Sequence, residues 1–279
     1  MLSYKHGFHA GNHADVLKHV CLIYFIKSIK KADNSIIYID THSGGGIYNL
    51  DDEYMKKNKE YQTGISKLIN FKTEDAYLRS YIKTIKNINK SSNIKLYPGS
   101  PKIIQFLTDK NDELYFCELH NNEYKDLKKN FSKFGNIKII NTDGFNIFNE
   151  KKINKTKSGL ILLDPSYEIK SDYEKIIKFI KTNYNSFDKK IILIWYPVLN
   201  RIETKDFIDN FKKTGIKNIL RIEMPIENDK EEKGMTSSGL IAFNTHPKTA
   251  NNLRGTIVEL QKCLAIKNNK KRVIVNYLR

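Results

Sequence analysis

Short apolar runs that end in polar or turn-forming residues recur along the chain. Runs of about four to eight apolar residues with such boundaries are typical of buried strands. Amphipathic helical segments separate most of them, and this alternation predicts an α/β fold: a doubly wound, mostly parallel sheet with helices on both faces. The predicted strands are 35–40, 114–118, 137–140, 159–163, 190–196, 218–223, 238–243 and a short edge strand at 273–275. The predicted helices between and after them include about 123–134, 173–184, 205–214 and 253–263.

The N-terminal segment departs from this alternation. Residues 3–19 read SYKHGFHAGNHADVLKH, are rich in histidine and have no periodicity. They predict an ordered but irregular tail, which we define as residues 1–19. A helix is predicted to overlap its end, with Asn12 or Asp15 as the cap and an apolar stripe over 16–26.

A second departure lies at about 50–95. This stretch is polar, has apolar side chains at helical spacing and contains no strand signal. It therefore predicts an inserted helical subdomain. The segment YPGSP at 97–101 is predicted as a turn. Ser100 would cap the next helix, with Pro101 in its first turn.

The charge balance favours an anionic partner. The chain has 48 Lys and Arg residues against 31 Asp and Glu residues, a formal net charge of +17. Nucleic acid is the usual partner of so basic a chain. The alternative is biased codon usage, since lysine, asparagine and isoleucine are all abundant and many lysines would lie on solvated faces.

Composition also argues against several classes of protein. With 279 residues and 40% hydrophobic content, the chain is long enough for one large α/β domain. No apolar run approaches the length of a membrane span, and the N-terminus has no apolar signal region. The three cysteines are scattered, which predicts reduced thiols and a cytoplasmic protein.

Acidic residues follow four of the predicted strands, as Asp40, Glu118, Asp143 and Asp164. Because the carboxyl ends of parallel strands meet at one edge of the sheet, we expect these acids to lie together. The glycines at 44–46 would let the backbone approach a ligand closely. Carboxylates can accept ribose hydroxyls and an adenine amino group. The pattern predicts a nucleoside-shaped site with Asp164 beside its reactive end.

Two cofactor classes bind in such sites. A dinucleotide site requires spaced glycines, a helix N-terminus for the pyrophosphate and an acid about twenty residues further on. Here the glycines are consecutive and the acid would be near Glu60, in a polar helical region. S-adenosylmethionine has no phosphate, so the pattern suits this cofactor better.

The motif Asp164-Pro165-Ser166-Tyr167 supplies a carboxylate, a carbonyl and an aromatic face at the end of a predicted strand. Those groups suit a planar amine such as a nucleobase amino group. The alternative interpretation is a strand-end aspartate that caps a helix, a turn proline and a core tyrosine. Taken alone, so short a motif favours the alternative.

Together, the motifs resemble a known family. They are SYKHGFHAGNHADVLKH, IYIDTHSGGGIY, YPGSP, the acid of FCELH, TDGF, LILLDPSYE and WYPV. Over nearly the whole chain, the sequence is similar to the Rossmann-like, S-adenosylmethionine-dependent N6-adenine methyltransferases. Within them it resembles the J-type family, which methylates one adenine of 23S ribosomal RNA. The resemblance implies a methyltransferase domain over residues 1–279, S-adenosylmethionine as cofactor and 23S ribosomal RNA as partner.

The resemblance also implies roles for individual residues. Asp164 matches the catalytic acid of the family's D-P-P-Y motif, and Tyr167 matches the aromatic residue that stacks on the target adenine. The Pro165 carbonyl would accept an amino hydrogen beside Asp164. The positions that match cofactor contacts are His19, His42, Ser100, Glu118, Asp143 and Gly144. The positions that match the tail closing over cofactor and base are Tyr4, His6 and Lys18.

Ser166 stands where the family motif has its second proline. It supports one competing function, a ribosome-associated RNA-binding protein of the same fold with weakened or lost catalysis. A DNA adenine-N6 methyltransferase is a further alternative because it shares the motif. The histidines of the tail could bind a metal, but the resemblance argues against this and we predict none. We also predict no membrane association and no obligate protein partner.

Overall fold

The computed structural model describes residues 6–91, 93–150, 153–154, 156–229 and 234–278, and their side chains except those of residues 6, 54 and 150. Its strands are β1 (Ile37–Asp40), β2 (Ile47–Asn49), β3 (Leu96–Pro98), β4 (Glu113–Cys117), β5 (Ile137–Ile140), β6 (Gly159–Leu163), β7 (Lys190–Val198), β8 (Leu220–Pro225), β9 (Ser237–Phe243) and β10 (Ile274–Tyr277). Eight of them form one sheet in the order β10-β8-β9-β7-β6-β1-β4-β5. The four pairings from β5 to β7 are parallel and the three from β7 to β10 are antiparallel. The predicted mostly parallel α/β fold is confirmed.

Helices cover both faces of this sheet, as predicted. They are α1 (His13–Lys30), α2 (Glu53–Asn58), α3 (Ile65–Leu68), α4 (Ala76–Asn89), α5 (Ser100–Leu107), α6 (Asn121–Phe131), α7 (Ile147–Glu150), α8 (Ser171–Asn183), α9 (Arg201–Lys212) and α10 (Thr249–Leu264). Alternate strand residues enter different cores. In β1, Tyr38 packs in the core that contains α1, whereas Ile37 and Ile39 pack in the core that contains α8 and α9. This alternation follows from the period of two along a strand.

Helix α1 begins at His13, inside the segment predicted as an irregular tail. Asn12 is its cap: the side-chain oxygen accepts hydrogen bonds from the backbone N–H groups of Ala14 and Asp15, at 2.9 and 3.0 Å. Asn12, one of the two predicted caps, is therefore confirmed, and the irregular tail ends before residue 13 rather than at residue 19. The first two turns of α1 are buried and include charged residues at 15 and 18. Because polar residues occupy these buried positions, the apolar spacing that identifies a helix is not visible in the sequence.

A short two-stranded sheet joins the two ends of the insertion and corrects the turn predicted at residues 97 and 98. β2 and β3 pair antiparallel, with Ile47 opposite Pro98. The boundary of the insertion thus contains strands where no strand was predicted, and residues 97 and 98 belong to β3 rather than to a turn. Three-residue strands are too short for alternation to appear in a sequence. The helices between them, α2 to α4, agree with a predicted helical insertion.

The insertion docks on the start of α1 through close backbone contacts. The N–H of Ile65 donates to the carbonyl of Gly11 at 2.9 Å. The carboxylate of Glu60 binds Nδ1 of His9 at 2.9 Å and accepts from the side-chain amide of Asn12 at 3.0 Å. A Cβ atom on Gly64 would lie 2.3 Å from the Gly11 oxygen. Only glycine allows this approach.

Two helices in the C-terminal half begin about four residues before their predicted starts. α9 begins at Arg201 because Asn200 caps it, accepting from the N–H of Ile202 at 2.8 Å. α10 begins at Thr249. The short edge strand expected at 273–275 is present as β10 and pairs with β8. In the part of the chain that the structure describes, no helix has both the length and the hydropathy to cross a membrane.

Substitution of two glycines tests the docked insertion. Gly64→Ala forces a methyl group against the backbone of residues 11 and 12, so we expect it to lower the free energy of unfolding by about 1–3 kcal/mol. Gly255→Ala is the matched control, because Gly255 lies inside α10 with nothing within 4 Å of the added carbon. It should raise the free energy of unfolding by about 0.5–1 kcal/mol. Urea unfolding measures both, and equal stability of Gly64→Ala and the parent would contradict the docking.

Candidate active site

The carboxyl ends of β5, β4, β1 and β6 are neighbours in the sheet and form one wall of a cavity of about 130 Å³. The four acids predicted to meet there follow these strand ends. The predicted site residues that line the cavity are Lys18, His42, Ser100, Glu118, Asp143, Gly144, Asp164 and Pro165. Residues more than a hundred positions apart are thus brought together by the order of the parallel strands.

Asp40 organises the floor of this site from beneath. It is fully buried, and its carboxylate accepts hydrogen bonds from the hydroxyl of Ser100 at 2.6 Å and the hydroxyl of Tyr38 at 2.9 Å. Burial raises the pKa of Asp40 to about 6. Ser100 was predicted to cap α5, but the cap is Gly99 and the Ser100 side chain makes no capping bond. Its hydroxyl is instead committed to Asp40.

The glycine turn after β1 is held against the end of β4. Gly44 has a φ of +58°, and its N–H donates to the carboxylate of Glu118 at 2.8 Å. The N–H of His120 donates to the other oxygen of Glu118 at 2.7 Å. Burial raises the pKa of Glu118. Each carboxylate oxygen has a second lone pair, so Glu118 keeps acceptors for a ligand such as a ribose.

The end of β5 approaches the end of β1 at Gly144. A Cβ atom there would lie 2.0 Å from the carbonyl oxygen of Thr41, so glycine is required. Asp143 caps the short 3-10 turn that follows, accepting from the N–H of Phe145 at 3.1 Å. The ring of His42 packs edge-on against Phe145, with centroids 5.1 Å apart. Burial lowers the pKa of His42, which favours a neutral imidazole.

Lys18 lies between two buried carboxylates. Its Nζ is 2.5 Å from Oδ2 of Asp164 and 2.7 Å from Oδ1 of Asp15. The three side chains are 10% exposed or less. Burial alone would lower the pKa of Lys18, but the carboxylates of Asp15 and Asp164 outweigh it and the pKa is raised. The lysine therefore stays charged and fixes one oxygen of Asp164.

Tyr167 does not line this cavity. Its ring is 9% exposed and packs against Tyr173 and Trp195, with centroids 4.7 and 5.6 Å away. Its hydroxyl donates to the carbonyl of Trp195. The ring borders a second cavity of about 540 Å³, which shares Lys18, Asp164 and Ser166 with the first. Tyr167 thus has the packing of the core tyrosine of the alternative interpretation and also borders the second cavity, and its role as a stacking face stays a prediction.

His19, predicted as a cofactor contact, does not line this cavity. His19 is fully buried, and its Nδ1 lies 2.9 Å from the hydroxyl of Tyr97. It does not line the cavity that its neighbour Lys18 lines. Successive residues of a helix point about 100° apart, and His19 turns toward Tyr97 while Lys18 turns toward Asp164. Tyr4 lies outside the described residues, as does the side chain of His6.

Several residues that line the cavity were not predicted from the sequence. They are Thr41, Phe145, Ile169, Asp172 and Lys175 among others. Asp172 and Lys175 belong to the first turns of α8 and form an ion pair at 3.3 Å. Their position directly after the Asp164 motif is the signal that could have identified them, because a helix that follows β6 starts at the same edge of the sheet.

Comparisons with known proteins identify the family of the chain. Residues 33–275 match the family model described as Ribosomal RNA large subunit methyltransferase D, RlmJ. The chain belongs to this family. It is 40% identical over 244 residues to the Ribosomal RNA large subunit methyltransferase J of Escherichia coli (strain K12), covering 88% of this chain and 87% of that protein. The protein of the same description from Haemophilus influenzae (strain ATCC 51907 / DSM 11121 / KW20 / Rd) is 38% identical over 245 residues, with the same coverage.

A solved structure agrees with the RlmJ family fold. The crystal structure of a protein from Legionella pneumophila str. Philadelphia 1 is similar to this chain with a TM-score of 0.85 and 32% sequence identity, covering 96% of this chain and 98% of that one. The family resemblance and the Rossmann-like methyltransferase fold expected from the sequence are confirmed. As a member of the RlmJ family, the chain is a methyltransferase.

Asp40→Asn tests the electrostatics of the floor. A folded-state pKa of about 6, above the ordinary value of 3.8, means that the protonated carboxyl is favoured in the fold. Wild type therefore loses stability as pH rises from about 4 through 6, by about 3 kcal/mol at 1.36 kcal/mol per pKa unit. Asparagine cannot ionise, so the stability of Asp40→Asn relative to wild type should increase over this interval.

The measurement is urea unfolding at a series of pH values. Asp188→Asn, at an exposed carboxylate in the loop before β7, is the comparison. A difference between Asp40→Asn and wild type that stays constant from pH 4 to 7 would show that Asp40 ionises as easily in the folded as in the unfolded chain.

Proposed function

We propose that this protein transfers a methyl group from S-adenosylmethionine to N6 of a specific adenine in 23S ribosomal RNA, in the cytoplasm. One observation carries the proposal. Asp164 lies on the wall shared by the two cavities, next to Pro165 and at the carboxyl end of β6. A cofactor in the smaller cavity and a nucleotide in the larger one would meet at this carboxylate.

The first cavity fits the chemistry of S-adenosylmethionine. Five carboxylates line it, those of Glu118, Glu123, Asp143, Asp164 and Asp172, against the two ammonium groups of Lys18 and Lys175. Such a surface suits a ligand with positive charges and hydroxyl donors and disfavours a pyrophosphate. Glu118 would accept the ribose hydroxyls, and Asp143 would accept the adenine amino group of the cofactor. Bound there, S-adenosylmethionine supplies an activated methyl group on a positively charged sulfur.

Asp164 and Pro165 would act on the target amino group. The lone pair of an adenine amino nitrogen is shared with the ring, which makes the nitrogen a poor nucleophile. Acceptance of its two N–H bonds by the Asp164 carboxylate and the Pro165 carbonyl favours a pyramidal nitrogen with a directed lone pair. The nitrogen would become positive as its bond to the methyl carbon forms and the bond from that carbon to sulfur breaks, and a carboxylate held in place would stabilise that charge until the nitrogen loses one of its protons. Asp164 need not remove a proton before the reaction.

Lys18 would prepare Asp164 for this role. Its ammonium holds one oxygen of Asp164 at 2.5 Å and leaves the other for the substrate. Asp15, at 2.7 Å from the same ammonium, keeps the lysine on the helix face that turns to the site. A carboxylate accepts hydrogen bonds on both of its oxygens, so Asp164 can bind Lys18 and the substrate at the same time.

The RNA substrate is supported by two independent lines. The relatives from Escherichia coli and Haemophilus influenzae are described as ribosomal RNA large subunit methyltransferases. The net charge of +17 favours a polyanion. The target base would have to leave its stack to reach a buried carboxylate, which is common to enzymes that modify a base.

Labelled cofactor and unmodified large-subunit RNA provide the direct test. We expect label on N6 of one adenine, located by mapping methylated adenines in RNA from cells with and without the protein. DNA and small-subunit RNA are competitors in the same assay. Preferential labelling of DNA would favour a DNA methyltransferase, and cofactor binding with no transfer to any nucleic acid would favour an RNA-binding protein without catalysis.

Asp164→Ala should lower turnover by about 100-fold or more, because it removes an acceptor that acts on the reacting nitrogen. Cofactor affinity, measured by calorimetry, should stay nearly unchanged. Asp206→Asn, an exposed carboxylate on α9, is the control for a general loss of negative charge. A large loss of cofactor binding in Asp164→Ala would mean that Asp164 serves the cofactor rather than the base.

Ser166→Pro should leave turnover equal or higher. Among the described residues, the backbone N–H of Ser166 donates no hydrogen bond, and its hydroxyl accepts only a long one of 3.5 Å from the N–H of Glu168. Proline would hold residue 165 extended and restore the family motif. Single-turnover kinetics on the RNA substrate measures the effect. A severe loss would indicate that the loop containing Tyr167, whose φ is +54°, has adapted to serine.

A further inference from the structure

His13 is a buried histidine whose two ring nitrogens have no hydrogen-bond partner among the described residues. It is the first residue of α1 and is 6% exposed. Within the described part of the chain, neither Nδ1 nor Nε2 has a hydrogen-bond partner. Burial lowers the pKa of His13 to about 4, so the ring is neutral and carries one N–H donor and one acceptor. Buried polar groups without partners destabilise a fold, and those that persist require an explanation.

The surroundings of His13 indicate the kind of ligand that would supply the missing partner. His13 lines the second cavity, where apolar wall is provided by Trp195, Pro197 and Ile226 among others. Four carboxylates line the same cavity against two lysines, namely those of Asp15, Glu60, Asp164 and Glu227 against Lys18 and Lys67. Lys18 is already paired with two of the acids, and Nζ of Lys67 donates to the carbonyl of Leu264 at 2.9 Å. This charge balance disfavours a phosphate and suits a flat, uncharged base.

His13, Lys18 and Asp164 line the same cavity, and the places of His13 and Lys18 on α1 favour one ring acceptor of a base over the others. His13 precedes Lys18 by five residues, which is about 7.5 Å along the helix axis. Lys18 contacts Asp164, which would bind the amino group of the target adenine. Of the ring acceptors of adenine, N1 and N7 flank the amino group, whereas N3 lies on the opposite side of the six-membered ring. N3 is therefore the acceptor that matches the separation.

We propose that His13 donates an N–H hydrogen bond to N3 of the target adenine and so positions the base against Asp164. This inference rests on the proposed function. His13 is a positioning residue: it is too far along the helix to touch the reacting nitrogen. Its burial without a partner is then a cost in stability that preserves a donor for the substrate.

The test combines a protein change with a change of one ring atom in the RNA. Wild type is compared with His13→Phe on RNA that contains adenine, 3-deazaadenine or 7-deazaadenine at the target position. We expect wild type to lose about 10-fold in kcat/KM on the 3-deaza substrate, the effect of one hydrogen bond. His13→Phe should lose about as much on adenine and show no further loss on 3-deazaadenine. The 7-deaza substrate should be affected equally in both proteins.

Two further measurements separate this role from a structural one. Cofactor affinity should be unchanged in His13→Phe, and its Tm should be equal to or above that of wild type, because an unpartnered buried polar group is removed. His13→Gln keeps an N–H donor and should recover part of the activity. His246→Phe is the control, since His246 is exposed and follows β9 at the opposite edge of the sheet, where Phe243 pairs with Ile192.

The outcomes distinguish the inference from the function on which it rests. Wild type that methylates adenine and 3-deazaadenine RNA equally well would overturn the role of His13 alone, whether or not any variant folds. The same conclusion would follow if His13→Phe retained full activity, or lost activity only together with a lower Tm. Wild type that transfers no methyl group to unmodified large-subunit RNA would overturn the proposed function itself.

Discussion

One buried ammonium group connects the first helix of the protein to the end of the strand that carries its reactive motif. Lys18 holds Asp164 and Asp15 at hydrogen-bonding distance in a region closed to solvent. Removal of one partner from such a group leaves a charge buried without compensation, which costs about 3–5 kcal/mol. The start of α1 must therefore lie across the carboxyl edge of the sheet, whatever else the N-terminal segment does. The cap at Asn12 and the contacts that Ile65 and Glu60 of the insertion make with Gly11 and Asn12 follow from that placement.

The whole chain is positively charged, whereas the cavity at the strand ends is lined mainly by negative groups. The chain as a whole has a net charge of +17, and exposed lysines extend along outer helices, for example at 125, 128 and 129 on α6 and at 178 and 181 on α8. The cavity at the strand ends is lined mainly by carboxylates. This distribution suits long-range attraction of a polyanion and local binding of a cationic ligand at different parts of one chain. Salt would weaken the first much more than the second, because buried pairs are screened less.

A feature of the fold or of the site could be predicted when the residues that cause it are close together in the sequence. Buried parallel strands are read from apolar runs, and the acids at 40, 118, 143 and 164 could be placed at one edge because each follows such a run directly. The pairing of Lys18 with Asp164 joins residues 146 positions apart and has no local pattern. The same holds for the bond from Ser100 to Asp40, which displaced a helix-cap prediction that local rules supported.

The directions of side chains were a second feature that could not be predicted from the sequence. His19 and Tyr167 stand next to or within motifs that line the site, but one faces Tyr97 and the other packs beside Trp195. A motif places a residue in the chain to within a few ångströms, whereas burial of its ring is decided by the neighbours that the fold supplies. The short strands β2 and β3 were missed for a different reason, because three residues cannot establish a period.

That pair of short strands has a consequence for how the protein folds. β1 must find β4 across the insertion, with Ile37 pairing to Glu113. Long loops between paired strands slow folding, because their closure entropy is lost before the strand contacts form. Formation of the pair between Ile47 and Pro98 first brings the two ends of the insertion together and leaves only short connections to β1 and β4. Once β2 and β3 are paired, the pairing of β1 with β4 therefore requires closure of short connections only.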